Sequence, residues 1–191
     1  GGSGSLAVSV NAYRPTANAG GTTRAFAGDG TKVSVGTLKL FADGDARADA
    51  DLFSLTLSGL ASVSVLRPEA NVTNNVEAYI GRNLDEATGD GAEITLSGAA
   101  DVNAIGRSIA EATGTGVAVA LAVGVSDVNA LATLAGKTRA YIGKNTTLGA
   151  TTVDLRAEEA SAKARAYIES GSGGLIAAVT SLEPVAIGSR E

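Results

Sequence analysis

Small and branched side chains recur at every second residue along most of this chain. Alanine occupies positions 160, 162, 164 and 166, and valine or leucine occupies every odd position from 117 to 125. Successive side chains of a β-strand point to opposite faces, whereas a helix returns to one face every 3.6 residues. The pattern therefore predicts an all-β fold with strands nearly throughout. The less regular segment 84–112 leaves a helix open as an alternative.

A short aromatic phrase occurs three times in the sequence. It reads RAFAG at 24–28, EAYIG at 77–81 and RAYIG at 139–143. The aromatic residues are therefore separated by 79 − 26 = 53 and 141 − 79 = 62 positions. A fourth Ala-Tyr-Ile at 166–168 is followed by Glu instead of Gly. Long internal repeats of this kind indicate a repetitive rod, either β-solenoid-like or an elongated multi-strand β-repeat.

The repeat divides the chain into segments. Residues 1–5 are interpreted as a flexible Gly/Ser start or linker, 6–24 as the end of a truncated repeat, and 25–77, 78–139 and 140–191 as repeat units 1, 2 and 3, the last one truncated. These units exceed the roughly 20–50 residues of common repeats. Each is therefore expected to contain several strands, as two or three coils or as an antiparallel hairpin pair. Parallel coils and antiparallel strands both remain open.

Glycine-containing turns are predicted to form the corners and to hold the extra residues of the longer unit, because glycine adopts positive φ at no steric cost. The candidate corners are residues 28–30, 43–45, 89–91 and 171–174.

The composition favours a narrow interior. The chain has 25 glycines, 4% aromatic residues, and no His, Cys, Met or Trp. The alanine-rich stretches 46–50 and 162–166 are expected to let two sheets approach closely, with the corresponding stretch of unit 2 blurred around 101–109. Branched residues of 60–66, 117–125 and 175–179 are expected to fill the core.

The repeated aromatic residues Phe26, Tyr79 and Tyr141 are predicted to form a structural ladder. They would stack within the widest part of the core, with the tyrosine hydroxyl groups at its rim. The alternative is an exposed row that stacks on sugars or on a partner chain.

The sequence predicts no catalytic residue, no cofactor-binding residue and no metal ligand. Without His and Cys, a Ser-His-Asp triad, a thiol nucleophile and a histidine zinc site are excluded. Carboxylate chemistry would require two converging acids. The acids at 43, 45, 49 and 51 alternate along one strand face, which is typical of a solvated surface. Calcium is the one cofactor alternative, at Asp43/Asp45 or at Asp85/Glu86/Asp90, although neither cluster matches a known loop motif.

The net charge of −5 and the scattered basic residues argue against nucleic acid and anionic membranes as partners. The most apolar run, 116–125, is about half the roughly 20 residues of a spanning helix, so no membrane insertion is expected.

The phrase Ala-Tyr-Ile-Gly, followed by a polar turn and a Val-x-Leu-x-Ala strand at 153–157, resembles the long repeats of leukotoxin-like filamentous adhesins. These are very large bacterial surface and secreted proteins, haemagglutinin-type in style, and the resemblance covers roughly residues 6–188. It implies a rod that projects from a cell and offers no catalytic motif.

The expected function is therefore a non-catalytic structural segment of a large extracellular or cell-surface bacterial filament or adhesin. The expected partners are neighbouring repeats or identical chains, with a host surface or carbohydrate as a further partner. The alternatives are a self-assembling β-filament subunit and a carbohydrate-active β-helix enzyme.

Overall fold

The structure is a computed structural model that describes residues 2–190. Strands make up 79% of the chain, and the described residues contain no helix. The thirteen strands in chain order are β1 (Gly2–Ser5), β2 (Val8–Tyr13), β3 (Thr16–Ala27), β4 (Lys32–Val35), β5 (Leu38–Ser58), β6 (Ala61–Leu66), β7 (Glu69–Ile80), β8 (Glu93–Leu96), β9 (Ala99–Ala120), β10 (Val123–Ile142), β11 (Thr147–Gly149), β12 (Thr152–Gly173) and β13 (Ala177–Arg190).

Two expectations for local structure are wrong. The segment 84–112 contains no helix, because the alternation of β9 is unbroken over 22 residues and every second side chain is buried. The start of the chain is a strand at Gly2–Ser5 rather than a flexible linker, since its small residues pair with β5 from Leu55 to Ser58. Residue 1 lies outside the described residues.

The strands form three sheets in which every pairing is parallel. Sheet A has the order β1-β5-β9-β12, sheet B contains β2 and β3, then β6 and β7, then β10 and β13, and sheet C has the order β4-β8-β11. One passage of the chain therefore contributes to sheet B, then to sheet C, then to sheet A. The antiparallel alternative is excluded for these strands.

Equivalent residues of successive passages are direct neighbours in the sheets. Val8 pairs with Ala61, Ala61 with Val123, and Val123 with Ala177. The offsets between passages are therefore 61 − 8 = 53, 123 − 61 = 62 and 177 − 123 = 54 positions. The first two offsets equal the spacings of the aromatic phrase. Each repeat unit therefore makes a single passage, and the expectation of two or three coils per unit is wrong.

The extra length of the second passage lies mainly at one corner. The corner between β7 and β8 spans positions 81–92, whereas the equivalent corners span only 28–31 and 143–146. Across this corner the offset between the first two passages rises from 53 to 93 − 32 = 61. One further position before β9 completes the offset of 100 − 38 = 62. Insertions at corners leave the strand register intact.

Sheets A and B pack face to face with a very thin interior. A Cβ placed on Gly44 of sheet A would stand 2.5 Å from a methyl group of Val76 on sheet B, and one on Gly114 would stand 2.6 Å from a methyl group of Val128. The amide of Asn74 crosses the interior to donate to the carbonyl oxygen of Gly44 at 3.2 Å. The sequence 43–45 is thus the middle of β5 and not a corner, because its glycine serves close approach of two sheets.

Alanine and aliphatic side chains fill the half of the interior near sheet C. The two core clusters consist of Ala42, Val76, Ala78, Ile80, Ala92, Ile94, Leu96, Ala100, Val102 and Ala104, and of Ala48, Ala50, Ala70, Val72, Ala110, Ala112, Ala130, Ala132 and Leu134. Alanines stack across three strands of sheet A, as in Ala48, Ala110 and Ala164. The second unit is therefore as regular as the others.

The opposite half of the interior has the reverse polarity. Its buried positions include five fully buried hydroxyl-bearing residues beside Leu66 and Ala118: Ser54, Thr56, Ser62, Ser64 and Ser126. The neighbouring valines and leucines of 61–65 and 117–125 point outward, because they occupy the other parity of the same strands. The expectation that the branched residues of these stretches fill the core is therefore wrong for the outward-pointing ones and holds for Leu66, which is fully buried.

The described molecule is wider than it is tall. Strands of 22 residues, such as β9, extend about 70 Å at roughly 3.3 Å per residue, whereas four stacked strands span about 20 Å at roughly 4.8 Å each. Further passages stacked on this slab would be needed to make it a rod.

Candidate functional site

The aromatic residues of the three repeat phrases form one continuous stack. The ring centroids of Phe26 and Tyr79 are 5.2 Å apart with planes 7° from parallel, and those of Tyr79 and Tyr141 are 5.0 Å apart with planes 4° from parallel. The stack arises because the parallel register places the three residues side by side on β3, β7 and β10. The Tyr167 ring of the fourth Ala-Tyr-Ile lies on β12 and is exposed.

The stack lies on the outer face of sheet B, not in the core. Ala78 and Ile80, on either side of Tyr79, point inward and belong to the core cluster. The prediction placed the ladder within the core, whereas the stack lies on the outer face of sheet B, where Tyr79 is nevertheless buried. The reason is parity, since only alternate residues of a strand reach the interior.

The long corner of the second passage covers part of this stack. Asn83 donates to the Tyr79 hydroxyl at 3.4 Å, and the backbone amide of Leu84 donates to the Tyr141 hydroxyl at 3.4 Å. Tyr79 is only 5% exposed, whereas Phe26 at the end of the stack is 55% exposed. Burial raises the pKa of Tyr141 to about 12. A ligand could therefore reach the Phe26 ring but not the face of Tyr79.

A charged row runs beside the aromatic stack. Arg24, Glu77 and Arg139 occupy equivalent positions on the three strands. Glu77 is only 2% exposed and accepts a hydrogen bond from Nε of Arg24 at 2.7 Å, which raises the pKa of that guanidinium. A buried carboxylate requires such a partner, because an unpaired buried charge is costly. This acid therefore contributes to register between passages.

The acidic residues considered for catalysis lie on the outer face of sheet A. Asp43, Asp45, Asp49 and Asp51 alternate along β5 and are all exposed. Arg107 binds Asp43, and Arg47 binds Asp49 at 2.7 Å. The chain does bring them onto one face, but as a row along a strand rather than as two acids facing each other.

Glu111 is the centre of an ion-pair network across three strands of this face. Arg47 on β5 lies 2.9 Å away, and Lys163 and Arg165 on β12 each lie 3.7 Å away. A shallow depression surrounds it, lined by Arg47, Asp49, Asp51, Glu111, Thr113, Arg165 and Tyr167. Its charges largely neutralise one another, so it offers hydrogen-bonding groups and one exposed ring.

The acids considered for calcium do not converge. Within residues 2–190, no group of three or more acidic side chains is placed to hold a metal ion. The corner near Asp90 is organised by the carboxylate of Asp29, which accepts hydrogen bonds from the backbone amides of Asp90 and Gly91. The Asp29 carboxylate therefore fixes the geometry of this turn. No helix in the described part of the chain is long and apolar enough to span a membrane.

An exposed apolar surface that we did not predict from the sequence is here named the aliphatic edge. It is the end of the slab where each passage turns directly from sheet A to sheet B. The turns carry Leu6, Leu60, Leu121, Leu175 and Ile176; the outer face of sheet B carries Val10, Val63, Val125 and Val179 in register; and that of sheet A carries Leu55, Leu57, Val117 and Val119. A sequence signal exists, since segments 52–66, 112–126 and 170–182 contain no charged residue.

Comparison of the chain with protein-family models, with curated proteins and with solved structures returned no match. The resemblance to filamentous adhesin repeats therefore rests on the aromatic phrase and the strand that follows it.

Proposed function

We propose that this chain is a non-catalytic structural segment of a large extracellular or cell-surface bacterial filament or adhesin, built as a β-solenoid. The observation that carries the proposal is the register of equivalent residues across passages, as in Phe26, Tyr79 and Tyr141. A chain in which each passage is the template for the next can be extended by repetition, and its stability comes from neighbouring passages.

The partners in this proposal are neighbouring repeats or identical chains. Among the strands described, β3 and the part of β5 before Leu55 have an unpaired edge on one side of the slab, and β12 and β13 have one on the other side. Unpaired edges present rows of N–H and C=O groups that pair with further strands. The same observation supports the second candidate, a self-assembling β-filament subunit.

The filament segment and the self-assembling subunit can be distinguished with tandem arrays. In these arrays, copies of unit 2, residues 78–139, are inserted in register between units 1 and 3. In a β-solenoid each added unit lengthens the particle by about 4.8 Å, so ten units add about 48 Å in electron micrographs. A length that is fixed by copy number supports the filament segment, and a length that grows with protein concentration supports self-assembly. An increment of several nanometres per unit would mean separate domains and would contradict the solenoid.

The alternative of a carbohydrate-active enzyme has weaker support. Hydrolysis of a glycosidic bond uses two carboxyl groups about 5–9.5 Å apart across a cleft. In the depression around Glu111, both this acid and Asp49 are engaged by Arg47. The exposed Tyr167 ring makes this face a candidate for a carbohydrate partner rather than for catalysis.

A further inference from the structure

The aliphatic edge has its polar groups inside and its apolar groups outside, whereas the other half of the same slab has the usual arrangement. Near sheet C, the interior holds Val76, Ile80 and Val102, and the outer faces hold charged rows. At the aliphatic edge the buried positions include serine, threonine and asparagine, alongside Leu66 and Ala118. Asn11, for example, donates to the hydroxyl groups of Ser54 and Thr56 at 3.2 and 3.0 Å.

This inversion is unfavourable in water on both sides of each strand. Buried hydroxyl groups must find partners, and Ser62 Oγ has none among the described residues. At the same time the exposed aliphatic groups remain hydrated, and contiguous apolar surface of this kind marks an interaction site. An apolar medium outside the edge removes the cost of hydrating the exposed aliphatic groups. It leaves the interior unchanged.

The edge is apolar on three sides. This shape decides whether a second copy of the chain or a lipid surface covers it. Valines face out from sheet B, leucines and valines face out from sheet A, and leucines form the tip, where Leu60, Leu121 and Leu175 are 57%, 64% and 85% exposed. A second copy could cover one flat face but would leave the tip and the other face in water. The acyl chains of a lipid layer, in contrast, would surround the tip and both faces of the edge.

Backbone hydrogen bonds connect successive passages at the tip, which lowers the cost of placing this part of the backbone in an apolar medium. The amide of Leu60 donates to Ala7, that of Ala122 to Leu60, and that of Ile176 to Ala122, at 2.9 to 3.1 Å. The nearest charged residue along β10 is Asp127, six residues from Leu121 or about 20 Å at roughly 3.3 Å per residue. This exceeds the roughly 15 Å of one hydrocarbon leaflet.

We propose that the aliphatic edge seats in a zwitterionic lipid surface, with Leu60, Leu121 and Leu175 leading. The net charge of −5 disfavours anionic lipid. The outermost strands β2 and β13 each keep one unpaired backbone edge. The edge therefore lies at the boundary between headgroups and acyl chains, where water still reaches those groups, and does not span the bilayer. This proposal does not depend on the filament function.

Phosphatidylcholine vesicles and single-cysteine fluorescence test the proposal, because the chain contains no cysteine. A polarity-sensitive dye is attached to Leu121→Cys, and the control is Val35→Cys, which is exposed on β4 at the opposite end of the slab. Vesicles should shift the emission of the dye at 121 to the blue and protect it from aqueous iodide. The dye at 35 should not respond. Equal responses, or none at 121, would overturn the proposal.

A matched pair of double variants tests which side chains carry binding. L60D/L121D should lose vesicle binding in flotation at least ~10-fold, because two leucines no longer enter the apolar region. V35D/F41D adds the same charge at exposed positions away from the edge and should bind as the wild type does. Circular dichroism verifies that both fold. Equal binding of the two variants would overturn the proposal, as would a lipid-free dimer that L60D/L121D dissociates, since the edge would then bind a second copy.

Discussion

A methyl group of Val76 lies 2.5 Å from the point where a Cβ on Gly44 would stand. The two residues belong to facing sheets, and their contact sets how closely those sheets approach. We expect Gly44→Ala to destabilise the protein by about 1–3 kcal/mol, because overpacking forces the sheets apart. Denaturant unfolding measures the change.

The controls for this prediction are a second glycine and a second substitution. Gly21→Ala should change stability by less than about 0.5 kcal/mol, since no other residue's heavy atom lies within 4 Å of its Cβ position. Gly44→Ala should also cost less in a Val76→Ala background, because the closest contact of the new methyl group is then removed. Equal costs in both backgrounds would show that the two residues do not touch.

The inverted polarity of the aliphatic edge predicts which neighbouring residues react with solvent. Val63 points outward and Ser64 is fully buried on the same strand. The thiol of Val63→Cys should therefore react with maleimide at least ~100-fold faster than that of Ser64→Cys in the native protein, because the buried position must wait for local opening. The two rates should converge in denaturant. The reverse order in the native state would place the valines inside.

The sequence predicts the strands and the repeat but not the direction in which the side chains of each strand point. The period of two is visible both in the valines 63 and 65 and in the serines 62 and 64 of the same strand. Hydrophobicity alone would assign the valines to the interior. The interior is too thin for that choice at this end, where Leu66 and Val128 already face glycines 114 and 116 across the gap. Which of the two alternating sets of side chains faces the interior depends on the distance between the sheets, which is a property of the tertiary structure.

The phenol of Tyr141 predicts a loss of stability at high pH. Burial raises its pKa to about 12, above the ordinary value near 10. The folded chain favours the neutral hydroxyl, so this contribution to stability is complete below about pH 10 and is lost as the pH rises through about 12. Denaturant unfolding between pH 9 and pH 12 should show the loss in the wild type and a smaller one in Tyr141→Phe. Identical pH profiles would contradict the assignment.

One corner position adopts the left-handed conformation in every passage. Gly30, Gly91 and Asn145 have φ values of 70°, 82° and 60° and lie two residues before the paired positions Lys32, Glu93 and Thr147. Gly91→Ala should cost about 1–3 kcal/mol, because a Cβ is strained there and would meet the carbonyl oxygen of Asn145. Asn145→Gly should change stability by less than about 0.5 kcal/mol. Equal costs in thermal unfolding would refute a shared corner geometry.

The aromatic phrase shows where prediction from sequence succeeds and where it stops. Its spacings of 53 and 62 match the register of the sheets, since stacking of Phe26, Tyr79 and Tyr141 requires equivalent residues to be neighbours. The single passage per repeat could not be read from those spacings. It depends on unusually long strands such as β5 and β9, and the uncharged stretch 52–66 conceals the turn between β5 and β6.

The most direct test of the fold is a disulfide between equivalent residues of two passages, in a chain that has no other cysteine. Asp51 and Thr113 are register neighbours on β5 and β9, whereas Tyr167 lies one strand further on β12. Neighbouring strands are about 4.8 Å apart, within disulfide reach, and second neighbours are about 9.6 Å apart, beyond it. Under native oxidation D51C/T113C should form an intramolecular disulfide, detected by mass spectrometry, and D51C/Y167C should stay reduced. A disulfide in the second pair, or none in the first, would contradict one passage per repeat.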